Sequence, residues 1–143
     1  MLGDSLYRRA LHEYIARWHG KHPTPWDYFY TYNDVARQNL DWFWQRWFFD
    51  NGYIDVAIAG VSESGNQSTV ALENVGGIPA PVTLVVRYAD GSTDSLRQTS
   101  AIWKANARRA TVALPAGKRV QSVSLDPGIW MDANAANDRW TAR

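Results

Sequence analysis

The sequence has no cysteine, no long apolar run and almost no net charge. The absence of cysteine excludes disulfides and thiolate metal sites, although it says little about compartment. No run approaches the roughly 18 apolar residues of a transmembrane helix. Fifteen Lys and Arg stand against fourteen Asp and Glu, a formal net charge of +1. This balance argues against a surface devoted to nucleic acid or anionic lipid.

Aromatic residues, by contrast, are abundant and unevenly distributed. The 143 residues are 45% hydrophobic, which suits one domain, or one domain plus a fragment, and excludes a disordered tail. Residues 1–50 hold five of the eight Trp, five of the seven Tyr and all four Phe, whereas residues 51–143 hold ten of the eleven Val. The composition therefore predicts two pieces of different secondary structure, joined near Asn51-Gly52.

Three helices are predicted in the aromatic piece. The first begins at Ser5 with Asp4 as its N-cap and stops near Gly20, and it carries an apolar stripe at helical spacing: Tyr7, Leu11, Tyr14 and Trp18. The second begins after Thr24, with Pro25 in the first helical position and Asp27 three residues after the cap. It is predicted to run to about Val35.

The third predicted helix, Leu40 to Phe49, is apolar nearly all round and ends at Asn51-Gly52. A helix of this kind is usually buried on several sides. Three such helices expose more apolar surface than they can bury among themselves. We expect it to be covered by the second half of the chain together with a part of a larger protein, rather than by a separate partner.

The second piece is predicted to be an immunoglobulin-like antiparallel β-sandwich, so the fold class is α+β. Alternating or valine-rich segments predict strands at residues 54–58, 70–72, 82–88, 93–99, 110–114 and 120–125. Asp90-Gly91 is a strong hairpin signal, and Pro115-Ala116-Gly117 predicts another turn. The tail from Asp132 has little pattern, with Trp140 as its candidate anchor.

Two histidine groups are candidate metal sites. His12-Glu13 begins a His-Glu-x-x-His zinc motif, but Ala16 stands where the second His belongs, so a solvated helix face is the better interpretation. His19 and His22 with Asp27 could hold a metal, although Gly20 and Pro23 interrupt a helix there. A role in orienting the turn by hydrogen bonding is the better interpretation.

Other candidates also have simpler explanations. The pairs Asp90/Asp94 and Asp126/Asp132 could be carboxylate couples or a calcium site, but turns and caps explain them better. Three tryptophans could stack on a sugar or a peptide, or could equally be packing residues: Trp103, Trp130 and Trp140. Gly76-Gly77 lacks the Lys-Ser/Thr of a phosphate loop, and no Gly-x-Ser-x-Gly elbow is present.

Three runs of residues together resemble one family. They are His19-Gly20-Lys21-His22-Pro23-Thr24-Pro25-Trp26-Asp27-Tyr28-Phe29, Leu40-Asp41-Trp42-Phe43-Trp44-Gln45-Arg46-Trp47-Phe48-Phe49 and Asn51-Gly52-Tyr53. They look like the C-terminal part of bacterial zinc metallo-aminopeptidases of the aminopeptidase-N-like family, the M-one gluzincins. The likeness is sharp over residues 18–55 and looser beyond, where Leu125-Asp126-Pro127 and the Asp132/Asn134/Asn137 tail resemble the end of that family's β-sandwich.

The resemblance implies that residues 1–52 are the helical end of a thermolysin-like catalytic domain and that 53–143 form the following β-sandwich domain. The family's zinc motif with its downstream Glu, its Gly-x-Met-x-Asn loop and its catalytic Tyr have no match here. No catalytic, cofactor-binding or metal residue is therefore carried over, and Tyr7, Tyr14 and the Tyr28/Tyr30/Tyr32 group are interpreted as packing residues. Zinc is expected in the parent enzyme and not in this chain, which is predicted to be inactive alone.

The resulting functional expectation is a non-catalytic segment that packs the catalytic lobe of a zinc aminopeptidase against the sandwich. The parent would remove N-terminal residues from peptides with a metal-activated water. Its partners would be the rest of the catalytic domain and the parent's peptide substrate, with self-association through the aromatic helices. The family analogy favours a periplasmic or secreted location. The alternatives are a stand-alone peptide- or glycan-binding β-sandwich and a structural or dimerisation element.

Overall fold

The structure is a computed structural model that describes residues 1–126 and 132–142. It divides the chain into two compact units, Met1–Asp50 and Asn51–Arg143. The first unit is helical and the described part of the second is built from antiparallel sheets, so the chain is α+β. The sequence placed the domain boundary after residue 52, and the compact units divide after Asp50.

The helical unit contains α1 (Asp4–Trp18), α2 (Pro25–Ala36) and α3 (Asp41–Trp44), which continues as a π-helical turn over Gln45–Phe49. The prediction that Asp4 caps α1 was wrong, because Gly3 with φ of 77° occupies the cap position. Asp4 instead lies in the first helical turn, where a carboxylate favours the positive end of the helix dipole.

The start of α2 was predicted correctly. The Thr24 backbone N–H and the Thr24 hydroxyl each donate a 2.7 Å hydrogen bond to the Asp27 carboxylate, and Pro25 occupies the first helical position. This capping box is entirely local in sequence, since it joins residues three apart. At the other end, Arg37 adopts the left-handed conformation with φ of 52° and terminates the helix.

The core of the helical unit is largely aromatic. Its buried members come from all three helices and the connection before α3: Ala10, Phe29, Tyr32, Leu40 and Trp44. Phe29 and Trp44 stack with ring centres 5.0 Å apart, and Tyr28 lies 4.3 Å from Tyr32. The third helix is less enclosed than the sequence suggested, because only Trp44 is buried between Asp41 and Phe49.

The described part of the second unit contains seven strands: β1 (Val56–Ser64), β2 (Gln67–Asn74), β3 (Val82–Tyr88), β4 (Thr93–Gln98), β5 (Arg109–Ala113), β6 (Val120–Leu125) and β7 (Arg139–Thr141). They form a three-stranded sheet in the order β1-β2-β5 and a four-stranded sheet in the order β4-β3-β6-β7. Every pairing between these strands is antiparallel.

Alternating burial runs along the central strands of both sheets. Val82, Leu84, Val86 and Tyr88 of β3 are buried, and the intervening residues are half-buried or exposed. This is the period-two pattern on which the strand prediction depended. The β3–β4 hairpin turns at Asp90-Gly91 as predicted, with φ of 83° at Gly91.

The tail contains a strand that its polar sequence did not reveal. β7 pairs with β6, and half-buried Trp140 lies opposite Val123. The Asn137 side chain donates to buried Asp55 at 2.9 Å, and the Asn137 backbone carbonyl accepts from the Ile58 N–H. These long-range polar contacts secure the tail, and no periodic apolar signal accompanies them in the sequence.

Candidate functional site

The first histidine candidate lies on an ordinary polar helix face. His12 is exposed, and the Glu13 carboxylate accepts a 2.7 Å hydrogen bond from Arg17 one turn later. Arg17 also donates to Asp34 of α2 at 2.6 Å. The bonds to Asp34 and Glu13 raise the pKa of Arg17 above its usual value. Glu13 therefore belongs to a surface ion-pair group between α1 and α2.

The second histidine candidate is not assembled into a site. His19 and His22 are both exposed, and the Asp27 carboxylate is occupied by the capping box at Thr24. Over residues 1–126 and 132–142, no group of three or more His, Cys, Asp or Glu side chains could hold a metal ion. Asp27 belongs to the capping box that begins α2, as the spacing from Thr24 predicted.

The acidic pairs mainly organise turns. Asp90 accepts hydrogen bonds from the Ser92 N–H at 2.8 Å and the Ser92 hydroxyl at 2.6 Å, and these bonds lower the pKa of Asp90. Asp132 accepts from the backbone N–H groups of Val56 and Asn134, both at 3.0 Å. Asp94 lies 3.9 Å from the Lys118 ammonium.

Two of the three candidate ligand-stacking tryptophans can be placed. Trp103 is 1% exposed and its indole N–H donates to the Ala80 carbonyl at 2.8 Å, so it is a packing residue with no face for a ligand. Trp140 is half-buried in β7. Trp130 lies outside the described residues. The structure thus removes Trp103 from the set that could bind a sugar or a peptide.

Gly76-Gly77 has a structural role in a strand connection. The Gly76 carbonyl accepts from the Tyr53 N–H, and a Cβ at Gly76 would overlap the Tyr53 backbone. Gly77 has φ of 91° and donates its N–H to the Asn74 side chain at 2.8 Å. The pair is needed for close backbone approach, which explains the glycines without a phosphate ligand.

The most distinctive surface of the molecule lies on the helical unit. Five large aromatic side chains from the first turns of α2 and from the π-helical turn are exposed, and we call them the aromatic face: Trp26, Tyr30, Trp47, Phe48 and Phe49. Tyr30 is 62% exposed and Phe48 is 58% exposed. Trp26 stacks on both Tyr30 and Phe49, so these three rings form a continuous exposed surface, and a large surface of this kind typically marks an interaction site.

A small cavity of about 50 Å³ lies beside this face, and we call it the aromatic pocket. Its aromatic lining combines exposed and buried rings: Trp26, Phe29, Tyr30, Trp44 and Phe49. Trp26 and Phe49 stack almost in parallel, with centres 5.1 Å apart and planes 14° apart. Phe29 and Trp44 form a second stacked pair, and Trp26 meets Phe29 edge to face.

The polar lining of the aromatic pocket consists of Asp41 and Gln45. The Asp41 carboxylate accepts hydrogen bonds from two neutral amides, Asn33 at 3.0 Å and Asn39 at 2.9 Å. Gln45 donates to Asp50 at 3.2 Å, and Arg46 also bonds to Asp50 at 2.7 Å. Hydrogen bonding from Gln45 and Arg46 lowers the pKa of Asp50.

The chemistry available in the aromatic pocket follows from its lining. It offers ring faces and one carboxylate, and its described lining contains no His, Ser or Lys that could act as nucleophile or base alongside that carboxylate. Sequence reasoning identified the aromatic density but missed the pocket. The available signal was Trp26 and Tyr30 four apart on α2, followed by Asp41 and Gln45 four apart on the next helix, since such pairs share a helix face.

Neither a scan of protein-family models nor a search of curated proteins gives a match to this chain. In the residues that the structure describes, no helix is long and apolar enough to cross a bilayer.

Proposed function

We propose that this chain is the non-catalytic C-terminal segment of a zinc-dependent aminopeptidase of the aminopeptidase-N-like family. The helical unit would be the end of the catalytic lobe and would lead into the β-domain that follows it. The zinc, the residues that bind it and the activated water would all belong to the remainder of the parent. No catalytic step is assigned to the residues of this chain.

One observation carries the proposal: the run from His19 to Phe29, followed by the run from Leu40 to Phe49, which together resemble the closing helices of that family's catalytic domain. The positions of these runs in the structure support it. The first run contains the capping box that begins α2, and the second forms α3 with its π-helical turn. The two runs meet in the aromatic core, where Phe29 stacks on Trp44.

The exposed aromatic face is a second support. In a helical unit that folds as an independent domain, large aromatic side chains such as Tyr30 and Phe48 would be expected to be less exposed to water. A unit that continues into a larger lobe would cover them with neighbouring helices. This accounts for an aromatic core and an aromatic surface in the same 50 residues.

The strand order supports an immunoglobulin-like sandwich for the second unit. In that fold the first, second and fifth strands share one sheet, and the third, sixth and seventh share the other. The observed orders, β1-β2-β5 and β4-β3-β6-β7, follow this division. The difference from the constant-type arrangement is that β4 lies beside β3 instead of beside β5.

The test is to express the protein encoded when the reading frame is followed upstream of Met1, and to assay this longer protein for aminopeptidase activity. We expect an in-frame His-Glu-x-x-His upstream and zinc-dependent hydrolysis of an aminoacyl-arylamide, abolished when the Glu of that motif is replaced by Gln. The 143-residue chain alone should show no hydrolysis with added zinc. A frame without the motif, or zinc-dependent cleavage by the 143-residue chain itself, would contradict the proposal.

A second candidate function, a dimerisation element, is favoured by the same aromatic face. It predicts a concentration-dependent sedimentation coefficient that Phe48→Asp abolishes. Phe48 is the better position for this test than Trp44, because Trp44 is buried and its replacement would damage the fold. Lys104→Asp, at an exposed position in the other unit, is the control and should leave any self-association unchanged.

A further inference from the structure

We propose that the aromatic pocket binds the guanidinium group of an arginine side chain presented by a partner polypeptide. The proposal goes beyond the aminopeptidase assignment and does not rest on it; under that assignment, the arginine would come from the part of the parent that covers Tyr30 and Phe48. Its basis is the lining of the pocket, which combines aromatic faces with a single carboxylate.

The charge of the lining favours a cation. The faces of aromatic rings carry negative potential, and a cation within about 6 Å of a ring centre is attracted to them. Asp41 is the only charged residue in the lining, and it is negative. Among the described residues, no Lys, Arg or His side chain forms an ion pair with Asp41, whose carboxylate is held by two neutral amides.

The size of the pocket restricts what can enter. One water molecule needs roughly 10–15 Å³ of such space, so a cavity of about 50 Å³ admits a small head group of a few heavy atoms. Among cations of this size, a planar guanidinium is favoured over an ammonium, because it stacks on ring faces and can form a bidentate pair with a carboxylate. Trp26 and Phe49 are both about half-exposed and can supply such faces.

The carboxylate is positioned in advance of binding. Asn33 donates to Asp41 and accepts from the indole N–H of Trp44, so one side chain fixes both a polar and an aromatic member of the pocket. Asn39 contributes twice, because its amide donates to Asp41 and its carbonyl oxygen accepts the Asp41 N–H at 2.7 Å. A site held in its binding geometry loses less entropy when the ligand binds.

The surroundings favour a polypeptide over a free small cation. Phe48 packs edge to face on Phe29 and Trp44 of the lining and extends the apolar surface beyond the pocket, and a guanidinium alone would leave it uncovered. A polypeptide that inserts one arginine could cover this ring with its neighbouring residues. This division, a buried anchor with an apolar surround, is common at protein interfaces.

The experiment is a titration of the full chain followed by the tryptophan indole N–H signals in NMR. The probe is acetyl-arginine N-methylamide, and the comparison is acetyl-citrulline N-methylamide, which has nearly the same shape without the charge. We expect the arginine probe to shift the Trp26 and Trp44 signals with a dissociation constant on the order of 1–10 mM. The citrulline probe should bind at least about threefold more weakly.

Two variants localise the binding. Asp41→Asn should weaken the arginine probe about three- to fivefold without changing the response to citrulline. Trp26→Ala, at a half-exposed ring, should weaken the arginine probe by a similar factor, read on the Trp44 signal. The matched controls are Asp4→Asn and Trp47→Ala, which change an exposed carboxylate and an exposed ring outside the pocket lining. Both should bind the probe as the unmodified chain does.

The proposal is overturned if citrulline and arginine bind equally, because the pocket would then select shape instead of charge. It is also overturned if the controls lose binding as much as Asp41→Asn and Trp26→Ala. Shifts of the Trp44 signal on dilution of the protein alone would assign the pocket to a second copy of the chain. Circular dichroism of each variant establishes that it is folded, and the two substitutions act on different helices, so one damaged variant does not decide the result.

Discussion

The indole N–H of Trp44 donates a 2.9 Å hydrogen bond to the side-chain oxygen of Asn33, eleven residues earlier in the chain. The same oxygen accepts the backbone N–H of Leu40 at 3.3 Å. One half-buried carboxamide thus connects the end of α2 to the start of α3 and satisfies the polar atom of a buried indole. We therefore expect this hydrogen bond to contribute to the stability of the aromatic core.

Replacement of Asn33 by Ala should lower the free energy of unfolding of the helical unit by ~2 kcal/mol. The reason is that the Trp44 N–H would be left buried without an acceptor, and an unsatisfied buried donor costs about 1–3 kcal/mol. Urea unfolding followed by helical circular dichroism measures the change. Gln38→Ala, at an exposed position just beyond α2, is the control and should change the midpoint little. Equal stability of the two variants would show that the Asn33 bond is dispensable.

Replacement of Gly76 by Ala should destabilise the β unit by about 2–3 kcal/mol, since the added methyl would overlap the Tyr53 backbone and force the two segments apart. Gly60→Ala is the matched control. It lies in β1, no atom comes within 4 Å of its added Cβ, and a change within about 0.5 kcal/mol is expected. Urea midpoints of the two variants, compared with the unmodified chain, test the difference. Similar losses in both would contradict the close-approach explanation.

The features that the sequence predicted well depend on neighbours in the chain. The capping box joins Thr24 to Asp27, and the strand pattern of β3 repeats every second residue. The predicted start of α1 was one residue too late, because both Gly and Asp can occupy an N-cap. The positive φ of Gly3 could not be predicted from the sequence.

What could not be predicted depends on contacts between distant residues. β7 pairs through residues 139–141, whose polar pattern resembles a loop, and Asn137 reaches Asp55 across 82 positions. In the aromatic pocket, Trp44 is likewise held by its hydrogen bond to Asn33, which no local periodicity encodes. Hydrophobic pattern identifies which faces are buried, whereas the partners of isolated polar side chains are decided by the tertiary fold.

Replacement of Asp138 by Asn should stabilise the chain near neutral pH. Burial raises the pKa of Asp138, and the carboxylates of Asp132 and Asp55 raise it further against the opposing charge of Arg139. Because the pKa of this carboxyl is higher in the folded chain than in the unfolded chain, its contribution to folding stability is fully present below the unfolded-state pKa. That contribution is lost as pH rises through the folded-state pKa. The gain from Asn should therefore be largest near about pH 7 and should disappear in acid.

Thermal unfolding at a series of pH values measures the gain at Asp138. Asp90→Asn is the opposite control, because hydrogen bonds from Ser92 lower the pKa of Asp90 and its charged form is the one that the fold favours. That variant should lose stability at neutral pH instead of gaining it. A gain in both variants would point to a general effect of removing negative charge, and would contradict the local explanation at Asp138.

The buried hydroxyl of Tyr88 should produce a fall in stability at alkaline pH. Burial raises the pKa of Tyr88 from 10.0 to about 12, and hydrogen bonding with Asp94 and the charges of Asp94 and Asp90 contribute. The folded chain then holds a proton that the unfolded chain releases, so the contribution is fully present below pH 10.0 and is lost as pH rises through about 12. The expected loss over this window is ~3 kcal/mol.

Tyr88→Phe isolates this contribution from the other groups that titrate in alkali. The Tyr88 side chain is fully buried, with its hydroxyl beside the Asp94 carboxylate. Phe fills the same space, so the variant should differ from the unmodified chain mainly by the loss of this hydroxyl. The unmodified chain should lose stability relative to the Phe variant as pH rises above 10.0, measured as the difference in urea midpoints. Parallel pH profiles for the two proteins would mean that folding does not raise the pKa of the Tyr88 hydroxyl.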